Sequence, residues 1–247
     1  MSNNSNLRSS NAEPWQSLGW HATNQQLEKL IKLQELLKQF NNEVNLTRLL
    51  DNDDYWINQV LDSLLPFKKE LNNPLKPRNC IDVGTGCGFP GIALAIALPG
   101  SKFTLVDATS KKTNALKNIV RQLDLSRQIN IRNERVELTG RNRNFRGMFD
   151  FAMARAVGKA STLAEYLIPL ISQSGEAILY KGKWNNVEEK ELLSSLTQLN
   201  GKVTAIERLI LPKGRGQRHV IRLHRMRQCP NTYPRSIGIP AKRPLGT

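Results

Sequence analysis

Three cysteines, three histidines and 6% aromatic residues in 247 positions leave little room for several kinds of chemistry. Cys80, Cys87 and Cys229 form neither a C-x-x-C pair nor an even set for disulfides, which fits a reducing compartment. Cys87 has no activating neighbour in sequence and reads as a small packing residue rather than a nucleophile. His21, His219 and His224 are too scattered for a metal centre, so no metal is expected. No apolar run is long enough to span a bilayer; Ile92 to Leu98 is only a core helix. The start, Met1 to Ser10, lacks an apolar signal core and turns acidic at Glu13, which favours the cytoplasm over an organelle address. Acidic residues are the most unevenly missing type. Between Pro212 and Thr247 there are nine Lys and Arg and no Asp or Glu.

That gap accounts for much of a formal charge of +15 and a pI near 10.0. A surface of this sign attracts polyanions and loses affinity steeply with salt, so nucleic acid is the expected partner. With 39% hydrophobic residues the chain can bury one substantial core, and one domain with appendages is the default.

Against these absences stands one dense segment, Asp82-Val-Gly-Thr-Gly-Cys-Gly-Phe-Pro-Gly91. It joins an apolar strand ending at Val83 to an apolar helix through a loop almost without side chains. Gly84, Gly86 and Gly88 permit positive φ and close approach of a ligand, and the helix N-terminus offers unpaired N–H groups. Asp107, at the tip of the next strand, is placed to accept hydrogen bonds from both hydroxyls of a ribose. Gly86 to Gly91 also satisfies the dinucleotide pattern G-x-G-x-x-G. Two features favour S-adenosylmethionine over NAD. The acid-x-Gly-x-Gly arrangement sets the glycines one step earlier, and His219 and His224 lie in a basic segment rather than in a hydride-transfer constellation.

Strand and helix alternate after a linker, 72–78. Strands are predicted at 80–83, 102–106, 129–132, 149–154, 176–180, 202–209 and 219–223, with helices at 91–98, 111–123, 159–170 and 186–199 and a short element after Glu137. Seven strands closed by a hairpin make the methyltransferase variant of a doubly wound α/β sheet. Ahead of it, apolar spacing predicts amphipathic helices over 25–40 and 55–65, a helical cap. The division is a flexible start (1–22, with Trp15 and Trp20 docking locally), the cap (23–71), the sheet domain (72–225) and a basic tail (226–247). No coiled coil or exposed apolar repeat opposes a monomer.

Arg155 ends a strand and is followed by small residues. A cation there is costly to desolvate without an anionic or polar partner. Its candidate partners are a cofactor carboxylate, an RNA phosphate, a base edge or an acid of the cap. Ala154-Arg-Ala156 stands where methyltransferases of exocyclic amines carry Asp/Asn-Pro-Pro-aromatic, and no cysteine nucleophile is near, as pyrimidine C5 methylation requires. A ring nitrogen with a free lone pair, such as guanine N7, needs neither. Lys213-Gly-Arg-Gly-Gln-Arg218 is a glycine-loosened hairpin whose Arg215 and Arg218 can approach phosphates, and Arg135, after the third strand, either faces substrate or is a solvated loop residue.

The ordered set Asn45-Leu-Thr47, Leu61-Asp-Ser-Leu64, Asp82 to Gly91, Arg135-Val-Glu137, Ala154-Arg-Ala156, Lys181-Gly182 and Gly216-Gln-Arg-His219 resembles the ribosomal small-subunit methyltransferase G family (RsmG/GidB). The resemblance implies a Rossmann-like class I enzyme that transfers a methyl group from S-adenosylmethionine, releasing S-adenosylhomocysteine. The acceptor it implies is N7 of one guanine in 16S rRNA near the decoding region. It implies cofactor contacts from Gly84, Gly86, Gly88, Phe89, Asp107, Ala108, Thr109, Val136, Glu137 and Arg155, with Arg155 and Arg135 at the reacting centre. Arg135, Lys181, Arg215 and Arg218 would meet RNA of the small subunit. Gln59 departs from the pattern, since many relatives carry His there. Two other readings stay open: a non-catalytic assembly factor with a vestigial pocket, and a dinucleotide oxidoreductase.

Overall fold

The computed structural model describes residues 14–155 and 158–247. Residues 1–13 of the flexible start expected over 1–22, Ala156 of the Ala154-Arg155-Ala156 segment and Val157 lie outside these. Seven strands form one sheet: β1 (Asn79–Val83), β2 (Lys102–Asp107), β3 (Ile129–Asn133), β4 (Phe149–Arg155), β5 (Ile171–Lys181), β6 (Gly201–Ile210) and β7 (Gln217–Arg225), in the order β3-β2-β1-β4-β5-β7-β6. β1 to β5 are parallel; β7 runs antiparallel to both β5 and β6. The sequence-based strands fall within these, each lengthened by pairing with its neighbours.

Order reverses between β1 and β4, which opens a crevice at the carboxyl edge of these two strands. The crossover connections put helices on opposite faces. One face carries α5 (Gly91–Ala97), α6 (Ser110–Gln122) and the cap; the other carries α8 (Ala160–Leu167) and α9 (Asn186–Leu199). The tail joins that second face, where Leu245 is buried.

The cap begins with α1 (Asn24–Asn41). Thr23 Oγ1 accepts from Gln26 N–H at 3.2 Å and Gln26 Oε1 accepts from Thr23 N–H at 2.9 Å, a complete capping box. The second cap helix is longer and less regular than the predicted 55–65. It runs α2 (Asn52–Tyr55), a π-helical stretch (Trp56–Leu61), α3 (Asp62–Leu64), a 3₁₀ turn (Leu65–Phe67) and α4 (Lys68–Leu71). Pro66 has no N–H to continue an α ladder, which accounts for the 3₁₀ turn. Trp15 and Trp20 are both buried, their rings 5.6 Å apart, so residues 14–20 pack on this cap.

The tail is ordered on the protein itself. Glu165 of α8 accepts from the Arg235 backbone N–H at 2.7 Å and from Arg235 Nη2 at 2.7 Å. Glu137 Oε1 accepts from Gly238 N–H at 2.9 Å, and Thr162 Oγ1 donates to Pro240 O at 3.1 Å just inside α10 (Ile239–Lys242).

Candidate active site

At the end of β1 the chain turns through Gly84, Gly86 and Gly88, whose φ values are +68°, +59° and +95°. A β-carbon on Gly86 would meet only Gly84 O at 3.8 Å, so the loop's backbone is open to a ligand there. Gly91 serves packing instead. A β-carbon at that position would lie 2.2 Å from Leu105 Cδ2 and 2.9 Å from Asp82 Oδ2, so α5 can lie close on the sheet only because residue 91 lacks one.

Two acids organise the loop. Asp107 Oδ2 accepts from Gly86 N–H at 2.9 Å and Oδ1 from Thr109 N–H at 2.8 Å, which leaves lone pairs on a half-exposed carboxylate for hydroxyl donors. Asp82 is buried; its Oδ2 accepts from Thr85 Oγ1 at 2.7 Å and from Gly91 N–H at 2.9 Å, while its Oδ1 has no partner among the described residues. Burial dominates over these hydrogen bonds and pushes the Asp82 carboxyl up to about 6. A glycine cradle, a carboxylate for hydroxyls and an orphaned buried acceptor form a donor set that fits S-adenosylmethionine, with its ribose and its ammonium group.

The Asp82 shift carries a stability prediction. The unfolded carboxyl titrates near 3.8 and the folded one near 6, so between these pH values the native state binds more protons. Stability from this group is full below 3.8, falls as pH rises to 6 and is flat above. Asp82→Asn keeps an acceptor for Thr85 and Gly91 without the charge. Its stability relative to wild type should rise by about 3 kcal/mol from pH 3 to pH 8, at about 1.4 kcal/mol per pKa unit. Denaturant unfolding of both proteins at four pH values checks this, and a pH-independent difference would refute it.

Arg155 closes the other side of the crevice. Its Nη1 donates to Asn58 O at 3.0 Å and to Asp62 Oδ2 at 3.2 Å, and its Nη2 donates to Gln59 Oε1. The guanidinium carbon lies 5.6 Å from the centroid of the Phe89 ring. In the described structure, therefore, its acid partner comes from the cap. Asp62, 3% exposed, also accepts from Arg218 Nε at 2.9 Å and so bridges strand ends of β4 and β7. Gln59, buried, donates to Thr47 Oγ1 at 3.1 Å and approaches Cys87 Sγ at 3.8 Å; it links the cap to the glycine loop. The π-helical stretch presents Asn58 O and Gln59 to Arg155. Burial raises the Cys87 thiol, which keeps it a packing group.

In the sequence Asp62 and Asp82 stand out only as members of the Leu61-Asp-Ser-Leu64 and Asp82–Gly91 motifs, and nothing local assigns Asp62 a role. The available signal was an acid inside an apolar helical stretch, Leu61-Asp-Ser-Leu-Leu65, where a carboxylate is tolerated only with a partner.

Along the carboxyl edge the site residues follow strand order: Arg135 after β3, Asp107 on β2, the glycines after β1, Arg155 on β4, Lys181 on β5 and Arg218 on β7. Asp107, the glycines and Arg155 are neighbours. Arg135 and Arg155 are three strand spacings apart, roughly 14 Å, so the structure does not bring them into contact. Arg135 is exposed at the start of α7 (Val136–Arg141), with no acid paired to it among the described residues. The Glu137 carboxylate is buried and taken by Gly238 N–H and Tyr166 Oη. Ala108, at the β2–α6 turn, joins Asp107 to Thr109.

The basic hairpin is not the free set of cations that its sequence suggests. Lys213 pairs with Asp53 at 2.9 Å, Arg215 with Asp54 and Arg218 with Asp62, all acids of the cap. Lys181 lies 2.6 Å from Glu188 Oε1 and donates to Gly158 O at 3.0 Å.

The family profile for rRNA small subunit methyltransferase G matches residues 26–221. A ribosomal RNA small subunit methyltransferase G from Prochlorococcus marinus (strain MIT 9303) is 51% identical over 247 residues, 100% of this chain and 100% of that one. Another, from Synechococcus sp. (strain CC9902), is 49% identical over 96% of this chain and 97% of its own length. This chain belongs to the rRNA small subunit methyltransferase G family. It is a methyltransferase with S-adenosylmethionine as cofactor, and the predicted class I sheet is the one observed. Among solved structures, an O-methyltransferase from Bacillus cereus in complex with SAH shares the fold at 15% identity, with a TM-score of 0.54 over 77% of this chain and 89% of that one. The ribosomal protein L11 methylase from Lactobacillus delbrueckii subsp. bulgaricus shares it at a TM-score of 0.51 and 16% identity, over 68% and 78% of the chains. Among the described residues no group of three or more His, Cys, Asp or Glu is placed to hold a metal ion, and no helix is long and apolar enough to cross a membrane.

Proposed function

We propose that this chain methylates N7 of one guanine in 16S rRNA, near the decoding region, as a monomer in the cytoplasm. The observation that carries the reading is family membership across the whole sheet and the cap that holds Arg155. When bound, S-adenosylmethionine supplies an electrophilic methyl group on a sulfonium centre.

The protein's own part is placement. Asp107 holds hydroxyls with the lone pairs that Gly86 and Thr109 leave free, and Asp82 Oδ1 accepts from an ammonium group. Gly84, Gly86 and Gly88 would let the ligand approach the backbone, and Phe89 with the backbone of Ala108, Thr109, Val136 and Glu137 would hold its adenosine part. Guanine N7 carries a free lone pair and needs no general base, so Arg155 orients the reacting groups and excludes water rather than moving a proton. Arg135 steers the base from the far side of the crevice. Lys181, Arg215 and Arg218 reach RNA phosphates by exchanging their acid partners.

The test is incubation of the protein and methyl-labelled S-adenosylmethionine with small subunits lacking the modification, followed by N7-methylguanine-specific strand cleavage. Cleavage at one decoding-region guanine is expected, from a species whose light-scattering mass is near 27.9 kDa. Label at another atom, or none, would overturn the assignment.

A further inference from the structure

At the edge of the sheet opposite the glycine loop, where β4 begins and β7 ends, lies a surface cavity of about 550 Å³. Three arginines line it, Arg143, Arg146 and Arg225, with the amides of Gln173, Gln228 and Asn231, and no carboxylate is among its lining residues. Arg146 is fixed by four backbone carbonyls: Gly140 at 2.9 Å, Tyr233 at 2.7 Å, Cys229 at 2.8 Å and Pro230 at 3.0 Å. These take up four of its five N–H donors, and no carboxylate is paired with it among the described residues. Arg225 Nε is buried and has no hydrogen-bond partner among the described residues. Burial above all, with repulsion from Arg146, weakens the hold of Arg225 on its proton. The neighbouring Cys229 thiol, pushed up to about 11 by burial, is neutral and offers no counter-charge.

This arrangement differs from the carboxyl edge, where Arg155, Lys181, Arg215 and Arg218 each have an acid. A buried donor without a partner needs an explanation, and two close guanidiniums without a carboxylate are stabilised by an anion. Planar N–H forks suit phosphate oxygens above other anions. Arg225 lies seven residues beyond Arg218 on β7, roughly 23 Å at 3.3 Å per residue, a distance one RNA segment spans. We infer that the cavity between Arg143, Arg146 and Arg225 is a phosphodiester-binding site that anchors substrate rRNA on the edge opposite the methyl-transfer crevice. The inference rests on the rRNA methyltransferase reading for the identity of the polyanion.

The test compares wild type with Arg143→Gln/Arg225→Gln in small-subunit rRNA binding over a salt series, with S-adenosylmethionine affinity and thermal stability in parallel. Arg146 is left intact because its carbonyl contacts hold the tail. The expected result is a salt slope shallower by about 1 to 2 units, affinity roughly tenfold weaker at physiological salt and unchanged cofactor affinity. Arg143→Glu alone, at an exposed position, should lower affinity in the same direction and keeps the question answerable if the double variant folds poorly. Unchanged slope and affinity in both variants would overturn the site while leaving the methyltransferase function standing. Thermal stabilisation by inorganic phosphate that the double variant loses, with RNA binding untouched, would also overturn it, in favour of a free phosphate ligand. A wild type that binds rRNA but transfers no label would strike the proposed function instead, and the slope comparison would still judge the cavity.

Discussion

Arg155→Ala is expected to lower methyl transfer by a hundredfold or more while the fold survives. The guanidinium reaches both the glycine loop, through Phe89, and the cap, through Asn58, Gln59 and Asp62. Removal of one preorganised donor at a reacting centre costs about 10²–10³ in rate. The fold should tolerate the change because Asp62 keeps Arg218 Nε at 2.9 Å and is not left orphaned; the loss of charged hydrogen bonds amounts to about 1–3 kcal/mol. Single-turnover methylation, calorimetry with S-adenosylmethionine and a melting curve separate the contributions. Wild-type turnover in the alanine variant would remove Arg155 from the reacting centre. Arg155→Lys supplies the control: it returns the charge but not the fork that reaches Asn58, Asp62 and Gln59 together. Only partial recovery is expected.

Asp62→Ala should have the opposite profile, with stability falling first. Its carboxylate is 3% exposed and sits between guanidiniums from β4 and β7 whose side chains are 15% and 26% exposed. Deleting the shared acid leaves two partly buried like charges facing each other, and breaking a buried pair from one side costs about 3–5 kcal/mol. Activity should fall too, because Arg155 loses the contact that aims it. Urea unfolding at pH 7 reads the stability, and a loss below about 1 kcal/mol would show that Arg218 and Arg155 are held by other contacts. Asp62→Asn, which keeps one acceptor, should fall between alanine and wild type.

These two residues mark how far the sequence could be read. The strands, the glycine loop and Asp107 were legible because their determinants are local. An apolar run, three glycines and an acid at the next strand tip occupy under 30 consecutive positions, and each has a backbone reason to be there. Family motifs then placed Arg155 and Arg218 in a known order. Strand ends at β5 and β7 were set too short because pairing across the sheet extends them. The second cap helix was placed, but its π-helical irregularity was not, because such a stretch has no distinct hydrophobic period.

The charge reading shows the division most clearly. Nine cations and no acid after residue 212 were read as an open basic face, which composition alone justifies. The acids that neutralise most of that face lie elsewhere in the chain: Asp53, Asp54 and Asp62 in the cap, Glu165 on α8, Glu176 on β5 and Glu207 on β6. Arg215 and Asp54 are 161 residues apart and Arg218 and Asp62 are 156 apart, beyond any local pattern. By itself the sequence determined the sheet class, the cofactor loop and the sign of the total charge, because these follow from residue type and short-range spacing. Which cations are neutralised at the crevice, and which are left without a carboxylate around Arg143, Arg146 and Arg225, was decided only by the fold, because an ion pair depends on distance in space and the chain brings its partners together only when the cap and the tail close on the sheet.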